Sequence, residues 1–150
     1  MRKKLIAVLA ACIGLAGSAT AAGGGLFSAT GIVIAILAGD LFVGEAEGHL
    51  SGAGTLAIHS QNNPELKCVG QFNSSRELGG SGELRCSDGT TATFRFQRLN
   101  VYRGYGVATF GRGSMSFTYG IAHEDAGRYL NVPAGKKLTQ DGTKLALVDQ

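Results

Sequence analysis

Apolar and polar residues alternate with period two along most of the chain, and segments with a long helical period are hard to find. The stretch Gly82 to Phe96, GELRCSDGTTATFRF, shows how far this parity reaches. Leu84 and Cys86 share one strand face, and Phe94 and Phe96 share one face beyond the turn. A two-residue loop at Asp88-Gly89 would put those two sets on opposite sides of the sheet. A three-residue loop, Ser87-Asp88-Gly89, sets Cys86 opposite Thr90, Leu84 opposite Ala92 and Gly82 opposite Phe94, so that the apolar residues share a face. Glu83, Arg85, Thr91, Thr93 and Arg95 then lie on the other face. The pattern predicts a type I turn closed by a bulge, Gly89 left-handed, and Cys86 directed into the core.

The same reasoning places further hairpins. A two-residue type I′ loop at Asp141-Gly142 brings Leu138 across from Leu145 and Thr139 across from Lys144. A loop at Arg112-Gly113 pairs Phe110 with Met115, Ala108 with Phe117 and Gly106 with Tyr119, so that rings cover the small residues opposite them. Upstream, Ile32 to Ala38 reads as a buried first strand continuing through Asp40-Leu-Phe-Val. It is too short to span a bilayer, and an interfacial segment is its alternative reading. Glu45 to Leu50 and Gly52 to Ile58 read as adjacent strands, and Ser60 to Lys67 as a polar loop. His123 to Leu130 is the candidate for a short helix, with acidic residues in its first turn and Pro133 limiting its extent. These elements predict an all-β fold, a single antiparallel β-barrel or β-sandwich built from hairpins, with one short helix near the C-terminus.

The N-terminus changes the later counts. MRKK is a cationic head, LIAVLAACIGLAG an uncharged apolar stretch, and Ala19-Thr20-Ala21 fits the small-x-small rule of signal peptidase. The expectation is a signal peptide over residues 1–21 and one glycine-rich β domain over 22–150. The rival reading takes Leu9-Ala10-Ala11-Cys12 as a lipobox, with Cys12 lipidated; membrane anchoring is expected only in that case. Cleavage after Ala21 removes three of the 14 basic residues and leaves 11 against 11 acidic ones, so the excess positive charge belongs to the targeting segment. A nucleic-acid or general polyanion partner is therefore not expected. Cleavage also leaves two cysteines, Cys68 and Cys86, which in an exported chain read as a disulfide. Two free buried thiols, or a metal site lacking well-spaced histidines, are the alternatives. Cys68 to Phe72 and Gly82 to Cys86 can pair antiparallel about the polar loop Asn73 to Gly80, which sets the two cysteines side by side.

Gly52-Ala-Gly-Thr-Leu, Gly80-Ser-Gly-Glu-Leu and Gly104-Tyr-Gly-Val-Ala are alike, and lie 28 and 24 residues apart. Bulges, tight turns and gaps covered by rings account for such glycines in a sheet. The G-x-G punctuation is similar to that of MORN-type β-hairpin repeats, although most of the aromatic positions of those repeats are missing. The C-x-G-x-F at Cys68 to Phe72 and the G-x-G-x-L-x-C-x-D-G at Gly80 to Gly89 resemble a pair found in small exported glycine-rich β proteins of Gram-negative bacteria. That resemblance covers about a quarter of the chain after Ala21 and implies an envelope location but no mechanism.

Candidate chemistry is sparse. Glu45 and Glu47 share a strand face and could serve as an acid and base pair, and with His49 or His59 they could approach a metal, but neither spacing matches a compact motif. No G-x-S-x-G elbow, S-x-x-K pair, H-E-x-x-H helix or phosphate-cradling loop occurs. No cofactor, metal or catalytic residue is assigned. The candidate binding surface is Arg95, Arg98, Tyr102, Arg103, Tyr105 and Arg112, whose guanidinium groups and rings suit sugars, carboxylates or phosphates. A solvated face balanced by Glu77, Glu83 and Asp88 is the plainer account of the same residues. The reading is an exported periplasmic or outer-membrane-associated protein, a non-catalytic binding or structural module for an envelope protein or a wall or outer-membrane component. A small secreted inhibitor or immunity-like protein, and a hydrolase acting through Glu45, Glu47 or a histidine, are the alternatives.

Overall fold

The computed structural model describes residues 28–75, 78–111 and 113–150, and the expected signal segment with Cys12 lies outside them. The period-two pattern becomes ten strands: β1 Ser28–Leu37, β2 Asp40–His49, β3 Ala53–Ser60, β4 Lys67–Ser75, β5 Gly79–Cys86, β6 Thr91–Asn100, β7 Arg103–Phe110, β8 Gly113–Tyr119, β9 Lys136–Asp141 and β10 Lys144–Asp149. Among the described residues one helix, α1, spans His123–Ala126. Strands β1 to β8 pair antiparallel in chain order, and β8 returns to β1 to close a barrel, leaving no free edge. Barrel, not sandwich, is therefore the architecture, and β9 and β10 form a separate two-stranded sheet.

Parity sorts the barrel wall. Leu56, Ile58, Leu84, Phe94, Phe96 and Phe117 are among the buried residues that fill the interior. Outward positions on β4 to β6 carry Gln71, Glu83, Arg85, Thr93 and Arg95. Val69 on β4 and Val107 on β7 are exposed on the same outer wall.

Glycines and rings alternate around the interior. Gly54 on β3 faces Phe72 on β4, Gly82 on β5 faces Phe94 on β6, and Gly106 on β7 faces Phe117 on β8. A Cβ placed on these glycines would lie 2.1 Å from Phe72 Cζ, 2.5 Å from Phe94 Cζ and 2.6 Å from Phe117 Cζ respectively. Each ring thus lies over a neighbour that has no side chain, and the 28- and 24-residue spacing of the G-x-G stretches is the length of one hairpin repeat around the barrel.

A second core lies outside the barrel. Ile34, Ile36 and Leu41 face outward from β1 and β2 and are buried against Ile121, Ala126 and Leu130. Leu138, Leu145 and Leu147 of the two-stranded sheet pack on the same cluster. Tyr105 stacks on Tyr129, ring centroids 4.6 Å apart, and the backbone N–H of Asn131 donates to Ser116 Oγ at 2.8 Å, fixing this segment to the wall.

Three sequence expectations change in detail. The apolar run through Val43 is not one strand but a hairpin turning at Ala38 and Gly39, whose φ values of +48° and +83° fit a type I′ turn. Burial on both faces of β1 had hidden the alternation that would have marked the turn. In β9–β10, Asp141 pairs with Lys144 and Leu138 with Leu147, so the loop is Gly142-Thr143. Positive φ at Gly142 alone fits a II′ turn, and a two-residue slip keeps leucine facing leucine. In β7–β8, Phe110 pairs with Gly113 and Gly106 with Phe117, again a two-residue slip. It places Phe117 over Gly106 and Tyr119 over Gly104, so that two rings cover two glycines. The Ser87-Asp88-Gly89 loop stands as expected: Leu84 faces Ala92, Gly82 faces Phe94, and Gly89 has φ +86°.

Candidate ligand cavity

The two ends of the barrel differ. At one end Cys68 and Cys86 form a disulfide inside the barrel, where both are buried. The Ser60-to-Leu66 loop folds across this end: Ser60 Oγ donates to Asp40 Oδ2 at 2.5 Å and accepts from the backbone N–H groups of Asn62 and Asn63. Asn62 Nδ2 donates to Asp40 Oδ1 at 2.7 Å, and Leu66 packs on the interior cluster. These contacts close the end with an ordered polar loop over a cross-linked core.

The opposite end is open and leads into a cavity of about 300 Å³. One wall is bare, because Gly31, Ala46 and Gly48 on β1 and β2 project little or nothing into it. The facing wall carries Phe72, Phe94, Phe96, Phe117 and Tyr119, with Leu56 and Met115 deeper. An eight-stranded barrel is wide enough either to be filled by its own side chains or to hold one small ligand. Here the closed end is filled and the open end is not. The turns around the mouth expose Leu50 (63%), Leu78 (82%), Val101 (60%) and Tyr102 (68%), giving the entrance an apolar rim.

Ser28, Thr30, His49 and Tyr102 reach this lining, and so do Arg98 and Tyr119. Arg98 follows Phe94 and Phe96 on the inward face of β6, beside a bulge between Arg98 and Asn100. Tyr119 follows Met115 and Phe117 on β8, with its hydroxyl over Gly104, the residue paired with Arg98. Arg98 Nε and Tyr119 Oη are both buried and have no hydrogen-bond partner of good geometry among the protein's own groups. Burial pushes the Tyr119 phenol above its ordinary value near 10, and the nearby Arg98 guanidinium partly opposes that rise. Tyr119 is therefore a neutral donor and acceptor at physiological pH, next to a permanent cation.

The six residues of the expected binding surface do not form one stripe. Arg98 and Tyr102 line the cavity and its mouth. Arg95 and Arg103 are exposed on the outer wall. Tyr105 is also on the outside, engaged with Tyr129 and donating from its hydroxyl to Gln97 Oε1 at 2.9 Å. Arg112 lies outside the described residues, as does Glu77. Glu45 and Glu47 pair across from Ala57 and Thr55 on the outer wall, His59 from Val43, and His49 reaches the cavity mouth. Among the described residues no three His, Cys, Asp or Glu side chains gather as metal ligands.

Tyr119 and the cavity rings were not among the expected site residues. Their signal was present in the parity: Arg98 shares a face with Phe94 and Phe96, and Tyr119 with Phe117. No family model, curated protein or solved structure matches the chain.

Proposed function

We propose that this protein is a non-catalytic binding module of the bacterial cell envelope, exported by its N-terminal segment, whose barrel holds a small apolar molecule. The observation that carries the reading is the cavity: about 300 Å³, at the lower end of the size range of small-molecule sites, lined mainly by rings and aliphatic groups and open at one end. The apolar rim at Leu50, Val101 and Tyr102 supports entry of an apolar ligand through that end. Ser28, Thr30, His49, Arg98, Tyr102 and Tyr119 are the polar residues that line the cavity, and the guanidinium beside the Tyr119 phenol suits the holding of a ligand. The disulfide supports an oxidising compartment.

The test is fluorescence titration with the neutral probe N-phenyl-1-naphthylamine, comparing the protein with Gly48→Leu. A Cβ at Gly48 meets only the Phe72 ring, at 3.8 Å, so a longer side chain there enters the cavity without disturbing the wall. Saturable binding that Gly48→Leu abolishes is expected. Absence of binding, or equal binding by a folded Gly48→Leu variant, refutes the reading.

A further inference from the structure

The proposed cavity has a polar end that its apolar lining does not explain. Arg98 Nε and Tyr119 Oη are buried there without a hydrogen bond of good geometry, on β6 and β8, with the guanidinium beside the phenol and Gly104 of β7 between them in place of any competing side chain. Arg98 is half-buried, and its buried Nε–H is costly to leave without an acceptor. The strand pairs at this end, Arg98 with Gly104 and Gly104 with Tyr119, set no carboxylate opposite it. The Phe96 ring packs edge-on against the Tyr119 ring at 5.8 Å, and Phe72 against Phe96 at 5.5 Å, so an apolar surface leads directly from this polar pair into the cavity.

We infer that the ligand is an anionic amphiphile, its carboxylate held by Arg98 with Tyr119 donating a second hydrogen bond, and its apolar tail lying along Phe72, Phe96 and Phe117. This rests on the proposed ligand-binding function and specifies the class of ligand. The guanidinium offers the planar donor set that a carboxylate accepts, and the neutral phenol adds a donor without adding charge. Both groups are positioned by strands of a closed barrel, β6 and β8 on either side of β7, so little ordering is needed when the ligand binds.

Displacement of N-phenyl-1-naphthylamine by decanoate and by decanol separates the charged head from the tail. Decanoate is expected to bind at least about tenfold more tightly than decanol, in keeping with a hydrogen bond to a charged group. Arg98→Met should abolish that preference while the neutral probe still binds, which shows that the cavity has remained intact. Tyr119→Phe, which keeps the ring, should reduce the preference by a smaller factor. If the probe binds but decanoate and decanol compete equally, or if the preference survives in Arg98→Met, the anionic head assignment is wrong and the apolar cavity stands. If neither the probe nor either competitor binds, the ligand-binding function itself fails and this assignment fails with it.

Discussion

Breaking the Cys68–Cys86 bond tests how this glycine-rich barrel is held together. The two cysteines face each other across β4 and β5 and are separated by 18 positions in the chain. Closing a loop of that length in the unfolded chain corresponds to about 3 kcal/mol by the chain-entropy account. With about 120 ordered residues, the unfolding entropy is about 0.25 kcal/mol/K, so the same loss lowers Tm by about 12 °C. Cys68→Ala/Cys86→Ala also removes two buried sulfurs, and its loss should exceed that of the wild-type chain refolded under reductant, which keeps them. Urea unfolding of the oxidised protein, the reduced protein and the double variant, followed by circular dichroism, gives the three values. Oxidised and reduced proteins unfolding within about 0.5 kcal/mol of each other would refute the account, since surface changes alone move stability by that much. A second readout tests the location of the bond. Because both cysteines are buried, dithiothreitol without denaturant should reduce it only as fast as the barrel opens.

Three further outcomes follow from the packing and the titration of the site. Gly106→Ala places a methyl 2.1 Å from the Arg95 carbonyl oxygen and 2.6 Å from Phe117 Cζ, and should lose about 1–3 kcal/mol or more in urea unfolding, whereas Gly48→Ala should be close to neutral. Ser60→Ala removes the acceptor for two backbone N–H groups and the donor to Asp40, and should cost about 1–3 kcal/mol with faster amide exchange at Asn62 and Asn63. Tyr119 has a raised folded pKa, so its contribution to stability is full below pH 10 and falls as pH rises through the folded value. Absorbance titration at 295 nm should show a late phenolate step that is missing in Tyr119→Phe, and that variant should lose less stability above pH 10.

Much of the sheet was legible because side-chain parity is a local property. The three-residue loop after Cys86, the inward direction of Cys86 and its pairing with Cys68 all follow from keeping apolar residues on one face. Where parity allowed a slip of two, as in β7–β8 and β9–β10, the local pattern could not choose between registers. In β7–β8 the choice lay with the neighbouring wall: Phe117 and Tyr119 settled over Gly106 and Gly104, glycines that a two-residue slip would have covered differently.

The chain's own order of residues determined that it forms alternating strands, which faces are apolar, and which cysteines meet. Tertiary structure alone decided that the sheet closes, because Val33 must find Tyr119 across the whole length of the barrel. It decided that β1 is covered on its outer face by α1 and the C-terminal sheet, which is why that strand is apolar on both sides. It also decided the cavity, a property of opposite walls: Gly31, Ala46 and Gly48 leave space only because the rings of β4, β6 and β8 stand across from them. Parity alone separates Arg95 from Arg98, but only closure of the sheet turns the face that Arg98 shares with Phe94 and Phe96 into a chamber lined by rings from other strands.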